Sequence, residues 1–280
     1  MIGSAGFAGA QTAASDPNPG ALTFTGGFDL PTVYVFRGIV QETDPDLTMW
    51  PYGDIGIALK SGDGGLKSLG VNFGVWNSLH TGSSGSNGSS GKLHYEEDFY
   101  ATLSLGFGGG LTVAPTFTAY TSPNFGFNTV KELSVKVSKA HLLAPYGVLA
   151  FELGDETSPS FGSADLSMAG PENKKGTYLE LGAAPSFALA GSKATLAVPL
   201  KLGLSLKDYY QLDGVDHNFG FFDVGGLVTI PIGKIPSAFG SWNVHGSVDL
   251  LTFGDTTREY NGADKDKTRV VALIGVGLTY

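Results

Sequence analysis

The chain has 280 residues, of which 42 are glycine, 14 proline and none cysteine, with 42% hydrophobic and 15% charged residues. These values exclude a disulfide scaffold, a thiolate metal site and a disordered chain. Seventeen basic against 26 acidic residues give a net charge of −9, which repels phosphate backbones and excludes a nucleic-acid partner.

Residues 1–20 read as a residual export or linker segment rather than as fold. Ile2 to Ala14 is small and apolar, and Ala8-Gly9-Ala10 offers an A-x-A cleavage site, although the basic n-region of a signal peptide is missing. Asp16-Pro17-Asn18-Pro19-Gly20 is linker-like. Residues 21–280 are expected to form a single domain.

From Ala21 onward the hydrophobic period is two. Twelve candidate strands fall near residues 21–37, 49–59, 68–78, 94–107, 111–121, 129–138, 146–153, 177–188, 194–207, 218–230, 239–252 and 268–280. The uncharged stretch Phe99–Val130 is long enough for a membrane helix, but Gly108, Gly109, Gly110, Pro115 and Pro123 break it. The clearest alternation sets Leu196, Val198, Leu200, Leu202, Leu204 and Leu206 against Thr195, Ala197, Pro199, Lys201, Gly203, Ser205 and Lys207. The last strand alternates likewise and ends on Tyr280. Tight links at 60–67, 108–110, 140–145, 189–193 and 231–237 interleave with longer, more polar connections. That rhythm predicts an all-β fold, a transmembrane antiparallel up-and-down β-barrel of about 12 strands.

A soluble sandwich would also alternate, so the opposite faces decide. They are rich in Gly, Ser and Thr and poor in charge, unlike a water-exposed surface. Phe107, Phe187, Trp242 and Tyr280 near the tight turns, with Tyr34, Phe36, Phe99, Phe151 and Phe222 near the long loops, read as two interfacial girdles facing the lipid bilayer.

The run Val270–Tyr280, alternating and closing on an aromatic, resembles the insertion signal of bacterial outer-membrane barrels. That resemblance implies recognition by the barrel-assembly machinery. Tyr34-Val35-Phe36-Arg37-Gly38-Ile39, followed by Gln41, resembles the Y-x-F-R-G-I-x-Q opening of Gcw_chp, a proteobacterial family of exported barrel-like proteins of uncharacterised function. It implies a Gram-negative cell outer membrane location and little about activity.

Function then has to lie in the lumen. By parity the inward positions carry Asp29, Asp54, Glu96, Asp98, Glu132, Glu152, Glu180, Asp223 and Asp249 against Arg37, Lys136, Lys201 and Arg269. An acidic excess favours cations in a narrow pore; pairing of these groups across the interior would plug it instead. The residues expected to line the lumen or its constriction are Arg37, Asp54, Glu96, Asp98, Glu132, Lys136, Glu180, Lys201, Asp223 and Asp249. Arg37 is singled out as a permanent charge at the outer end of the first strand, placed to anchor a constriction or to hold Gln41, Glu42 and Asp44.

Two further constellations weigh less. Asn243, His245 and Ser247 share a strand face, but consecutive members stand about 6.6 Å apart, too far for a nucleophile and its base unless the side chains bend together. His94, Glu96 and Asp98 read as scattered lumen polarity rather than metal ligands. No cofactor is implied. The Gly/Ser-rich run Thr81–Gly91 reads as a mobile loop, and the loops 154–176 and 254–267 as possible protein contacts. The sequence therefore points to a non-enzymatic, porin-like passive channel for small hydrophilic solutes with weak cation preference. The alternative is a plugged barrel with a structural or interaction role in a larger outer-membrane complex.

Overall fold

A computed structural model describes residues 20–42, 46–82, 93–154, 174–212, 214–261 and 265–280. The expected export segment except Gly20, most of the Gly/Ser run, Asp44 and most of the 154–176 loop lie outside the described residues.

The alternating segments form twelve strands that close into one antiparallel barrel. These are β1 (Leu22–Pro31), β2 (Thr48–Ser61), β3 (Leu66–His80), β4 (His94–Phe107), β5 (Leu111–Thr121) and β6 (Val130–Lys139). They are followed by β7 (Tyr146–Leu153), β8 (Thr177–Ala183 with Ser186–Ala188) and β9 (Thr195–Ala197 with Leu200–Lys207). The last three are β10 (Phe219–Pro231), β11 (Ser241–Phe253) and β12 (Thr268–Thr279).

Each strand pairs with its neighbours in sequence, and β1 pairs antiparallel with β12 through Gly27 and Gly277. An up-and-down barrel can close antiparallel only with an even strand count. Prolines interrupt β8 and β9, because they donate no hydrogen to the ladder. Their carbonyls still accept, at 2.9 Å for Val198 N to Pro185 O and 3.0 Å for Gly225 N to Pro199 O, so the wall does not open.

The outward face is aliphatic and aromatic around the whole circumference. Phe24, Ile55, Phe73, Phe117, Leu133, Leu181, Val248 and Ile274 are all exposed on it. The leucines of Leu196–Leu206 lie on this face and none belongs to the core. No soluble surface presents so continuous an apolar belt; only hydrocarbon satisfies it. No helix among the described residues is long and apolar enough to cross a membrane, and the strands do so instead.

The barrel also has an aromatic core, and it fills the lumen at the long-loop end. β1 stops at Pro31, six residues short of the expected end. The chain beyond it folds back into the barrel mouth as a small hairpin, Val35–Phe36 paired with Ile39–Val40. Its turn residues Arg37 and Gly38 both take positive φ, 46° and 83°, the geometry of a tight hairpin turn.

Tyr34 and Phe36 are therefore not girdle residues: they are 0% and 3% exposed, inside the lumen. Phe99, Phe151 and Phe222 do face outward. Tyr34 packs edge-on to Trp50 at 5.4 Å and tilted on Trp76 at 5.3 Å, and Phe36 stands edge-on to Tyr120 at 5.5 Å, arrangements that suit ring quadrupoles. Trp50 Nε1 donates to Ser78 Oγ at 2.9 Å, which satisfies its one polar group.

Gly38 shows how tight the fit is. Besides its positive φ, an added Cβ would stand 3.0 Å from the Phe221 side chain. Gly38→Val is expected to cost about 2–4 kcal/mol, from left-handed backbone strain plus overpacking. Gly233→Ala, where a Cβ meets nothing within 4 Å, should be near neutral. Urea unfolding midpoints in detergent micelles compare the two.

Candidate functional site in the lumen

The plug is locked by Arg37. Its Nη1 and Nη2 donate to Glu132 Oε2 and Oε1 at 2.6 and 2.8 Å, a two-pronged pair with a carboxylate from β6. Nη1 also donates to the Tyr209 hydroxyl at 2.9 Å, and the guanidinium centre lies 4.2 Å from the Tyr178 ring centre. Burial works against the guanidinium charge, but Glu132, aided by Tyr209 and Tyr120, outweighs it and raises the Arg37 pKa.

The backbone of the hairpin is held too. Tyr210 Oη donates to Arg37 O at 2.9 Å. The Asn261 side chain donates to Gly38 O and accepts from Val40 N, both at 2.8 Å. Tyr95 Oη donates to Gln41 Oε1 at 2.9 Å. Asn261 caps the helix α1 (Asp255–Tyr260), so the plug is gripped by residues of three strands, β4, β6 and β8, and of two further loops.

Arg37 thus meets an acid of the opposite wall. Two readings of its role were open in the sequence, and its partner is Glu132 rather than the first-loop residues Gln41 or Glu42. The tyrosines around it, Tyr120, Tyr178, Tyr209 and Tyr210, are not singled out as site residues by the sequence.

Below the plug the lumen opens into a cavity of about 630 Å³. It runs from Phe36 and Arg37 to Ser104, Thr112 and Ser138, beside the tight turns. Asp54, Glu132, Lys136, Glu180, Lys201, Asp223 and Asp249 line it. Lys201 Nζ pairs with Asp223 Oδ2 at 2.5 Å. Glu180 accepts from the Tyr146 and Tyr178 hydroxyls, each at 2.8 Å. Asp54 accepts from Asn72 at 2.6 Å, and Asp249 from Ser247 at 2.8 Å. The Lys136 Nζ sits 4.7 Å from the centre of the Tyr146 ring.

Glu96 and Asp98 do not line this cavity. They are 3% and 0% exposed within the packed outer half. His94 does not share their face. The β3–β4 register shifts between Ser78 and Leu79, and His94 pairs with outward Leu79. Its Nε2 meets Asn77 Oδ1 at 2.8 Å. The extra residue is Tyr95, whose ring stacks on His80 at 4.5 Å, as expected where a bulge re-aims a side chain.

In the Asn243, His245 and Ser247 set, the histidine and the serine take separate hydrogen-bond partners. His245 Nε2 meets Asp29 Oδ1 and its Nδ1 meets Asn243 Oδ1, both at 2.9 Å. Ser247 Oγ donates a hydrogen bond to Asp249 Oδ2. Gly275 leaves room for the bridge: a Cβ there would stand 2.1 Å from Asp29 Oδ1.

Closure, an even strand number, an apolar belt and short turns opposite long loops define the class as an outer-membrane β-barrel. No protein-family model matches the chain, and no curated protein does. Among solved structures it is similar to a NanC porin at 11% identity and a TM-score of 0.45, over 92% of this chain and 99% of that one. It is also similar to outer-membrane phospholipase A from Escherichia coli, at 13% identity and a TM-score of 0.47, over 96% of each chain. The translocator domain of the autotransporter NalP from Neisseria meningitidis aligns at 12% identity and a TM-score of 0.44, over 93% of this chain and 89% of that one.

Proposed function

We propose that this barrel is a porin-like channel for small hydrophilic solutes, held shut at rest by its own first loop. The observation that carries the reading is the burial of Val33–Val40 in the lumen above a hydroxyl- and charge-lined cavity. Burying Val33, Tyr34, Val35, Phe36 and Val40 is worth roughly 8–15 kcal/mol as an upper estimate. Without a trigger the closed state therefore dominates.

Weak cation preference belongs to this reading, because Asp54, Glu180, Asp223 and Asp249 outnumber Lys136 and Lys201 in the cavity. So does a non-enzymatic role, since His245 and Ser247 are bonded elsewhere. The single domain over 21–280 with an export remnant over 1–20, Gcw_chp membership on the strength of Tyr34–Gln41, and delivery by the barrel-assembly machinery through Val270–Tyr280 are parts of the same proposal. The completeness of the aromatic packing favours one second reading, a permanently plugged barrel with a structural role and partners at its long loops.

Planar-bilayer conductance separates them. Wild type should be near insulating, and a chain with residues 33–40 replaced by a Gly/Ser linker should carry stable currents. In that chain Asp54→Asn and Asp249→Asn together should shift the reversal potential toward zero. An insulating barrel after loop replacement would establish the structural reading.

A further inference from the structure

The vestibule below the plug holds two charged groups of opposite sign with unfilled hydrogen-bonding capacity. Lys136, on β6, rests its ammonium over the Tyr146 ring and forms no ion pair among the described residues. Asp223, on β10, gives Oδ2 to Lys201, while its Oδ1 is buried with no hydrogen-bond partner. Asp223 is only 4% exposed. A buried carboxylate oxygen without a donor, and an ammonium without an acceptor, each carry a desolvation cost that a ligand group would relieve.

The intervening residue does not serve either. Glu180, in register with Val148 as Lys136 is, has its two oxygens taken by the hydroxyls of Tyr146 and Tyr178. It stabilises Lys136 through space but makes no bond to it. Lys201 is committed to Asp223 Oδ2. Lys136 and Asp223 Oδ1 are thus a donor and a buried acceptor without hydrogen-bond partners among the described residues, on two residues that line the same cavity from strands four places apart.

Four strands at about 4.8 Å each put the two backbones roughly 19 Å apart along the curved wall. The straight chord across the lumen is shorter, and both side chains extend into it. The cavity of about 630 Å³ between them is of ligand-binding size.

We propose that the vestibule binds a small zwitterion of amino-acid size, with its anionic group on the Lys136 ammonium and its cationic group on Asp223 Oδ1. A simple anion would leave Asp223 Oδ1 bare, and a simple cation would leave Lys136 bare. The inference names the solute class for the channel reading, and rests on that reading only for onward passage of the solute.

Titration calorimetry on the detergent-solubilised full chain tests it, with 4-aminobutyrate, butyrate and butylamine as probes. Saturable one-site binding of 4-aminobutyrate is expected, with the two half-probes at least about tenfold weaker. Lys136→Met should weaken 4-aminobutyrate about ten- to a hundredfold, and Lys136→Arg should restore most of it. The wild-type probe comparison does not depend on any variant folding. Absence of 4-aminobutyrate binding, equal binding of butyrate, or an unchanged Lys136→Met would each overturn the proposal. Because binding is read on the closed barrel without current, failure here is distinct from failure of the conductance test.

Discussion

Arg37→Ala is expected to destabilise the plugged state by about 3–5 kcal/mol, a large effect for one side chain outside the sheet. The reason is what it leaves behind. The side chain of Glu132 is only 2% exposed and takes both prongs of the guanidinium, so truncation strands a buried carboxylate, and breaking a buried pair costs far more than never having formed one. Loss of the guanidinium from the Tyr178 face adds to this.

Glu132→Gln should also be damaging, since it leaves the cation bare. The double variant Arg37→Met/Glu132→Leu should recover most of the loss, because apolar groups of similar volume replace the pair without an orphaned charge. Trp50 and Trp76 pack against Tyr34 beside the plug, so their fluorescence during urea titration reports its release. A cost under about 1 kcal/mol for Arg37→Ala would mean that Arg37 does not lock the plug.

The second large effect tests the lipid face. Ile274, 58% exposed in the middle of β12, should lose about 2–4 kcal/mol of folding stability in vesicles on substitution by Arg. Val270, 61% exposed but near the loop end of the same strand, should lose only about 0–1 kcal/mol in the same change. This depth dependence is peculiar to a strand crossing hydrocarbon. Equal costs at the two positions would contradict the membrane placement of the belt.

The alternation that revealed the barrel did so because a lipid-facing strand has one apolar side and one side that must meet water or fixed polar partners. That constraint acts residue by residue, so Ala194–Lys207 and Val270–Tyr280 display it without reference to the rest of the chain. Strand ends shifted by a few residues, but the strands, the two faces and the alternating loop lengths were all legible. Parity also fixes the side on which a charged residue falls once the strand is known, as for Asp54, Lys136, Glu180 and Lys201, which line the cavity. Parity failed at His94, where a bulge adds a residue and reverses the faces beyond it.

Parity also failed at Tyr34 and Phe36. Alternation puts Tyr34 and Phe36 on the outward side of a strand end, although Val33-Tyr34-Val35-Phe36, four consecutive apolar residues, fits a segment buried on every side. That local hint was present; the destination was not. The partners that hold the hairpin in the lumen are remote in sequence, Glu132 lying 95 positions from Arg37 and Tyr209 172 positions away. Closure of the sheet brings those partners to one place.

What the amino-acid sequence determined by itself was therefore the barrel and the sidedness of its strands, which depend on nearest-neighbour spacing. Only the tertiary structure decided that the first loop turns inward, that the outer half of the lumen is an aromatic core, and that Lys136 and Asp223 face one cavity. Those outcomes depend on contacts between strands far apart in the chain, whose energies exist only once the barrel has closed around them.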